Sequence, residues 1–584
     1  MEPRRNTPTG PELTVLPVAV ALRRRGPSVW DAVAFAVLVA VLLLVVLGSK
    51  GAFDELGQAE ASARSLDPRS LPWYAARTSL RMVVALGASF VFTLGYATLA
   101  AKNRRARAFL IPLLDVLQSV PVLGFVSVAT LFFLSLTPGR VFGAELVALF
   151  AIFTSQAWNM TFSLYASLLS VPKELEEVGR SFRLGAWARF WRIELPYSLP
   201  PLIWNAMVSM SGAWFFVVAA ESIAVGTTTI DLPGVGTYIA SALAARDLAA
   251  VGWAVLTMAC VIVAYDVLLF RPLVAWSARF RYDVGYGGAQ EEPESVVFRA
   301  LTRSRLVRGL AVRLAGLAPR PRPAPARPAP RREQTGQRRY DVALTVAAVL
   351  VAAACVALAW GHLARSIDAA EAWHVVALGS YTALRVFVLV VIASLVWVPV
   401  AVQVGLRPRL RAWVQPVAQV LAAFPANLLF PLAVWAIVRF GLDPNVWLSP
   451  LMILGTQWYI LFNVAAGAAG IPRDLRDLSA SFGVRGLLWW RKVALPAVSG
   501  TLLTGVITAS GGAWNASIVA ELVHWGDETV EAAGLGAYIV KATTAGDGAR
   551  IVLGIAVMSL YVVLINRFVW EPVQRRVSRR FRLE

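Results

Sequence analysis

The chain has 584 residues, of which 58% are hydrophobic and 15% charged, with a formal net charge of +20. Soluble proteins carry about 25% charged residues, so this composition excludes an ordinary soluble enzyme, and it is too apolar for disorder. A basic excess points either to nucleic acid or to a membrane protein with positive loops on one side, and the position of the charges decides. Cys260 and Cys355 fall inside apolar runs and read as buried core thiols. His362, His374 and His524 have no metal-ligand spacing, and no G-x-x-x-x-G-K-[ST] run occurs. No catalytic residue, metal site or cofactor bound by this chain is expected.

In chain order, residues 1–29 are polar and Arg-rich. The apolar run Trp30–Leu47 is long enough to span a bilayer and reads as a retained first helix rather than a cleaved signal. Further spans are predicted near 80–101, 109–135, 141–169, 197–224 and 249–270. Residues 279–340 lack a long apolar run, are rich in Arg, and include PRPRPAPARPAP at 319–330, a semi-extended linker. Spans resume near 341–361, 384–405, 413–438, 446–468, 498–522 and 550–569, followed by a basic tail, 574–584. The expected fold is therefore an all-α polytopic membrane protein of about 12 transmembrane helices. Its two units would be 30–278 and 341–573.

Charge sets the expected topology. With the N-terminus inside, the loop after the second span, residues 171–196, the linker, Arg407–Arg411, residues 471–496 and the tail all fall inside. Every strongly basic loop then lies on one side, as the positive-inside rule requires, and both termini are cytoplasmic. Charge dispersed over membrane-edge loops removes the nucleic-acid reading. The linker reads as a tether held at the lipid surface.

The two halves are copies. Gly212-Ala213-Trp214 and Ala220-Glu221 recur 300 residues later as Gly512-Ala513-Trp514 and Ala520-Glu521. Gly234-x-Gly236-x-Tyr238 recurs as Gly534-x-Gly536-x-Tyr538, and Pro112 and Pro121 match Pro416 and Pro425 with a small shift. Six spans in each half, an even number, give a parallel repeat with a pseudo-twofold axis along the membrane normal.

The segment between the fourth and fifth spans of each half is long, amphipathic and bounded by prolines: VPKELEEVGRSFRLGAWARFWRIELP at 171–196 and IPRDLRDLSASFGVRGLLWWRKVALP at 471–496. Pro172 and Pro472 suit helix starts, followed by the first-turn acids Glu174, Glu177, Asp474 and Asp477. Leu175, Val178 and Phe182 share one face, as do Leu475, Leu478 and Phe482. From the residues alone, two helices resting on the membrane and two helices docking a partner are equally good readings.

This segment resembles the EAA loop of the inner-membrane permeases of ABC importers, which reads E-A-A, three residues, G, nine residues, I, one residue, L-P. Glu177, Ile193 and Leu195-Pro196 match in the first copy; Gly483, Val493 and Leu495-Pro496 fit in the second, with Asp477 in place of Glu. The first copy departs at the turn, where Arg183 replaces Gly and Gly185 stands two residues on as the alternative turn residue. Two matches at equivalent places in a duplicated membrane chain make the resemblance specific. It implies that each helix inserts into a separate ABC ATPase subunit, which holds the ATP and Mg, and that ATPase closure switches access between two rocking halves. It also implies an extracytoplasmic substrate-binding protein as partner and a bacterial inner-membrane location.

The pattern built from Trp214, Glu221, Gly234, Gly236 and Trp514, Glu521, Gly534, Gly536 looks most like the nitrate, sulfonate and taurine branch, implying a small anion as solute. An acid at membrane depth is a functional candidate. Two readings of Glu221 and Glu521 stand: a contact with the solute path, or a carboxylate that caps the adjacent Gly loop and locks the outer gate. The second is favoured, because a carboxylate is a poor anion ligand. Gln118, Gln156, Asn159, Asn205, Gln419, Gln457, Asn463 and Asn515 either line a path or bond a neighbouring helix. The competing classes are a stand-alone secondary transporter of six plus six spans and a non-transport scaffold. The loop AAKNRRARAF lacks the Asp and Gly residues that the commonest such transporter carries there.

Overall fold

A computed structural model describes residues 29–50, 54–55, 65–119, 122–225, 228–280, 295–304, 361, 365–525 and 528–580. The predicted N-terminal segment, most of the linker, the span near 341–361, Cys355 and His362 lie outside these residues. The first half runs α1 (Val29–Ser49), α2 (Leu71–Lys102), α3 (Arg104–Ser119), α4 (Val122–Leu136), α5 (Val141–Leu169) and α6 (Lys173–Ser181). It continues through α7 (Ala186–Glu221), the hairpin β1 (Ser222–Val225) and β2 (Thr228–Asp231), α8 (Val235–Ala244) and α9 (Leu248–Phe280). The short α10 (Val296–Arg303) follows.

The second half repeats this order as α11 (Ala369–Leu406), α12 (Pro408–Ala423), α13 (Phe430–Phe440), α14 (Pro444–Leu454), α15 (Trp458–Ala469) and α16 (Arg473–Ser481). Then come α17 (Gly486–Ala520), β3 (Leu522–Trp525), β4 (Glu528–Glu531), α18 (Leu535–Thr544) and α19 (Gly548–Val577). Among the described residues, eight helices are long and apolar enough to cross a membrane, or ten if each of two bent pairs counts as one span. The remaining predicted spans are 341–361 and the α3–α4 pair, whose junction is not described. The chain is a multi-pass, all-α membrane protein.

Backbone breaks follow the prolines. Four π-helical turns, Phe190–Glu194, Asp266–Phe270, Trp490–Ala494 and Asn566–Trp570, each end two residues before a proline: Pro196, Pro272, Pro496 and Pro572. A proline removes one i→i−4 bond and its ring crowds the carbonyl four residues back, and a widened turn relieves both. Around Pro425, α12 and α13 are bent by 76°. α14 and α15 bend by 46°, whereas their first-half counterpart α5 is one continuous helix.

Two antiparallel hairpins were not expected from the sequence. Ser222 pairs with Asp231, and Leu522 with Glu531. Each hairpin closes on the backbone of a buried acid: Leu232 N–H donates to the Glu221 carbonyl and Ala532 N–H to that of Glu521, both at 2.8 Å. Cys260 departs from its expected burial: it is exposed on α9, on a face that no described residue covers.

The halves pack by exchange. α12 of the second half lies against α7 and α9 of the first, and α4 of the first lies against α17 and α19 of the second. Ala423 and Leu428 thus join the first half's core, and Phe215 packs against the second half's. The Asn515 side-chain oxygen accepts the backbone N–H of Val122 at 2.7 Å, satisfying the first turn of α4 from the opposite half. Asn515→Leu strands that donor and should cost about 1–3 kcal/mol, read as a lower unfolding midpoint of the purified protein in detergent.

Candidate functional site

Glu221 ends α7 and is fully buried. One carboxylate oxygen accepts from Thr78 Oγ1 at 2.7 Å and from Arg81 at 2.6 Å, and the other accepts from the Gly236 N–H at 2.6 Å. The loop can reach the acid only because it carries glycine: a Cβ at Gly234 would lie 2.3 Å from the carboxylate, and one at Gly236 would lie 2.5 Å from the Val218 carbonyl. Thr78 Oγ1 also accepts the Val235 N–H, so the first N–H groups of α8 are held from α2 and α7 together. In the second half Glu521 accepts from Thr382 at 2.8 Å, from Arg385 at 3.1 Å and from the Gly536 N–H at 2.7 Å. The Leu535 N–H donates to Thr382, and a Cβ at Gly534 would meet the Glu521 carboxylate at 2.2 Å.

The sequence reading missed the basic partners. The signal was present as Thr78-x-x-Arg81 recurring as Thr382-x-x-Arg385 in the N-terminal halves of equivalent helices. The surroundings of the two acids differ in concert. In the first half Arg81 also grips Glu145 at 2.6 and 2.7 Å, and Arg77 donates to Glu145 at 2.6 Å. Two cations thus face two carboxylates, and all four side chains are at most 10% exposed. In the second half Tyr381 stands at the position of Arg77, and Asn445 takes the place of Glu145, bonding Arg385 at 3.1 Å. One cation then faces one carboxylate. Each cluster is formally neutral, which burial in a low-dielectric medium demands.

Trp214 and Trp514 are buried core side chains. Trp214 stands edge-on to Tyr265, and Trp514 stacks on Tyr561. These tyrosines bond the carbonyls of Ser79 and Val376, tying α9 to α2 and α19 to α11. Together these contacts lock each hairpin and Gly loop onto its own half.

The amphipathic segments form helices α6 and α16. Glu174, Glu177, Asp474 and Asp477 are exposed on them, and Phe182 and Phe482 are 75% and 77% exposed. Their inner faces need small residues, since a Cβ at Gly179 would meet Ile193 at 2.9 Å. Each helix ends in a Schellman turn. Arg183 N–H donates to the Arg180 carbonyl and Leu184 N–H to that of Gly179; Gly483 and Val484 do the same toward Ala480 and Ser479. Arg183 itself adopts φ 51°, beside 64° for Gly483. Gly185, with φ −63°, does not take over the turn. The left-handed conformation costs a non-glycine residue about 1–2 kcal/mol, which the closed Schellman bonds offset here.

Below α6, Glu194 is buried and paired with Lys102 of α2 and with Arg189 at 3.1 Å. The corresponding second-half residues are Ala494, Leu406 and Trp489, another replacement made in concert.

The model of the family described as binding-protein-dependent transport system inner membrane component matches twice, at residues 92–281 and 396–582. The chain belongs to this family. Its duplicated match covers α6 and α16, both hairpins and the long helices that follow, and leaves out α1 and most of α2 and α11. Among relatives, the bicarbonate transport system permease protein CmpB of Synechococcus elongatus is 30% identical over 179 residues, 30% of this chain and 61% of its own. The nitrate import permease protein NrtB of Leptolyngbya laminosa is 25% identical over 185 residues, 32% of this chain and 63% of its own. The putative aliphatic sulfonates transport permease protein SsuC of Escherichia coli is 33% identical over 105 residues, 18% of this chain and 38% of its own. The chain thus spans less than two thirds of the length of each.

The charge neutrality of the Glu221 cluster is testable. Glu145→Asn alone leaves two buried cations against one carboxylate and should destabilise by about 3–5 kcal/mol. Adding Arg77→Tyr recreates the second-half composition and should restore most of that loss, measured as the unfolding midpoint of the single and double variants.

Proposed function

We propose that this chain is a membrane permease of an ATP-driven importer, with two halves of the translocation unit in one polypeptide. α6 and α16 are the coupling helices, each docking on one subunit of a separate ABC ATPase dimer that holds the ATP and Mg. An extracytoplasmic binding protein delivers the solute, and the chain sits in a bacterial inner membrane with both termini in the cytoplasm. The observation that carries this reading is the pair of exposed helices, closed by equivalent Schellman turns, each presenting acids and an uncovered phenylalanine. Among the described residues, no hydrogen bond or ion pair engages the carboxylates of Glu174, Glu177, Asp474 or Asp477.

Mechanically, each half behaves as one body. The Glu221 and Glu521 clasps fasten the hairpin and Gly loop to the long helices, so a push on α6 or α16 moves a whole half rather than bending it. Glu194, Lys102 and Arg189 transmit the push from the first coupling segment to α2. Rocking of the halves about their exchanged contacts then alternates access. A small anion is the solute class, supported by relatives named for bicarbonate, nitrate and sulfonates.

The test is reconstitution. The tagged chain should co-purify with an ATPase, and with a binding protein it should drive ATP-dependent uptake of nitrate, bicarbonate or an alkanesulfonate into proteoliposomes. Glu177→Arg with Asp477→Arg should reduce both co-purification and uptake by about tenfold or more. Undiminished uptake with no ATPase present would show the chain to be a secondary transporter instead.

A further inference from the structure

The exchange of helices between halves leaves a crevice where α7 of the first half meets α12 of the second. Trp204, Met207, Val208 and Ser211 line it from α7, Gln415 and Gln419 from α12, and Phe462 from α15. Gln415 and Gln419 are four residues apart and so share one face of their helix. They lie 7 and 11 residues beyond the start of α12 at Pro408, roughly 10–16 Å along its axis. Trp204 and Ser211 lie 8 and 15 residues beyond Pro196, roughly 12–22 Å along theirs. A bilayer's hydrocarbon is about 30 Å thick, so these groups lie well inside a span.

The polar groups of this crevice are all neutral: one indole N–H, two primary amides and one hydroxyl. The Trp204 indole N–H and the amide N–H groups of Gln415 and Gln419 donate to no described residue. Ser211 donates to the Met207 carbonyl of its own helix at 3.2 Å. No ionisable side chain lines it. An adjoining hollow shares Met207, Ser211 and Gln419 and adds Asp266, whose carboxylate is already bonded to Arg271 at 2.7 Å. These half-buried N–H groups border open space, where an arriving acceptor adds a hydrogen bond without displacing a protein partner. Both hollows are water-sized, with room for about one water each. Their walls belong to different halves, so separating the halves widens them.

We propose that this crevice is a transient binding site for a small oxyanion, held by the neutral N–H donors of Trp204, Gln415 and Gln419 as it crosses between the halves. The site rests on the importer reading and specifies its solute chemistry. Neutral donors recognise an anion's oxygens without the tight grip of a fixed cation, and a site that must release its occupant requires weak binding. The remaining carboxylate nearby is neutralised by its own arginine, so it does not repel the occupant.

The experiment uses the full chain with its ATPase in proteoliposomes, with Cys260 and Cys355 replaced by alanine. Gln419→Cys is compared with Val417→Cys, an exposed position on another face of α12. The probes are an anionic sulfonatoethyl thiosulfonate and its cationic trimethylammonium counterpart. Gln419→Cys should react with the anionic probe about tenfold faster than Val417→Cys, faster than with the cationic probe, and more slowly in the presence of nitrate, bicarbonate or an alkanesulfonate. Equal rates at the two positions, preference for the cation, or absence of protection by all three anions would overturn the site. Gln415→Leu with Gln419→Leu should cut uptake about tenfold while leaving ATPase co-purification unchanged; unchanged uptake also overturns the site. If the unaltered protein imports none of the three anions yet Gln419→Cys is labelled and anion-protected, the importer reading of the solute falls and the crevice stands.

Discussion

A carboxylate buried at membrane depth must find donors, and in this protein that requirement organises each half. Glu221 and Glu521 collect a hydroxyl and an arginine from the long helix beside them and a backbone N–H from a glycine loop. The same residues lend their carbonyls to the hairpins. Helix, hairpin, loop and the following short helix are therefore fastened at one point. Without it, the buried Gly236 and Gly536 N–H groups would lose their acceptor, and Arg81 and Arg385 would keep only Glu145 and Asn445.

The duplication shows which parts of that arrangement are free to change. The two halves keep the acid, the threonine, the arginine and both glycines. The surrounding charges change together: Arg77 and Glu145 against Tyr381 and Asn445, a neutral pair for a neutral pair, and Lys102, Arg189 and Glu194 against Leu406, Trp489 and Ala494, where the acid and both its basic partners are absent at once. Removing one partner of a buried pair is costly, whereas exchanging the whole set for neutral or apolar groups is nearly neutral. At these two places the first half is held by more buried charge-assisted bonds. The second half relies more on apolar packing and contains the two bent pairs, α12–α13 and α14–α15.

Much of this was legible from the residues. Hydropathy located the long helices, the 300-residue offset revealed the repeat, and Pro172 and Pro472 marked α6 and α16. The glycines near Glu221 and Glu521 pointed to loops approaching a carboxylate closely. Other features were hidden because their cause is not local. Arg183 breaks the expected pattern at the turn, yet takes the left-handed conformation because the Schellman bonds and the packing of Gly179 hold it there. The hairpins are four-residue strands too short to show periodicity. The basic partners Arg81 and Arg385 read as ordinary residues near a helix end until the fold placed them beside an acid about 140 residues away.

By itself, the sequence determined that the chain crosses a membrane many times, that it is a tandem copy, and that two amphipathic segments interrupt it. Those conclusions depend on composition and spacing, which are local properties of a chain in an apolar solvent. Only the tertiary structure decided which charges neutralise each other and which helices the halves exchange. It also decided that the amides of Gln415 and Gln419 face a crevice rather than a bonding partner. These are pairings between distant segments, and their energy depends on the burial that packing alone creates.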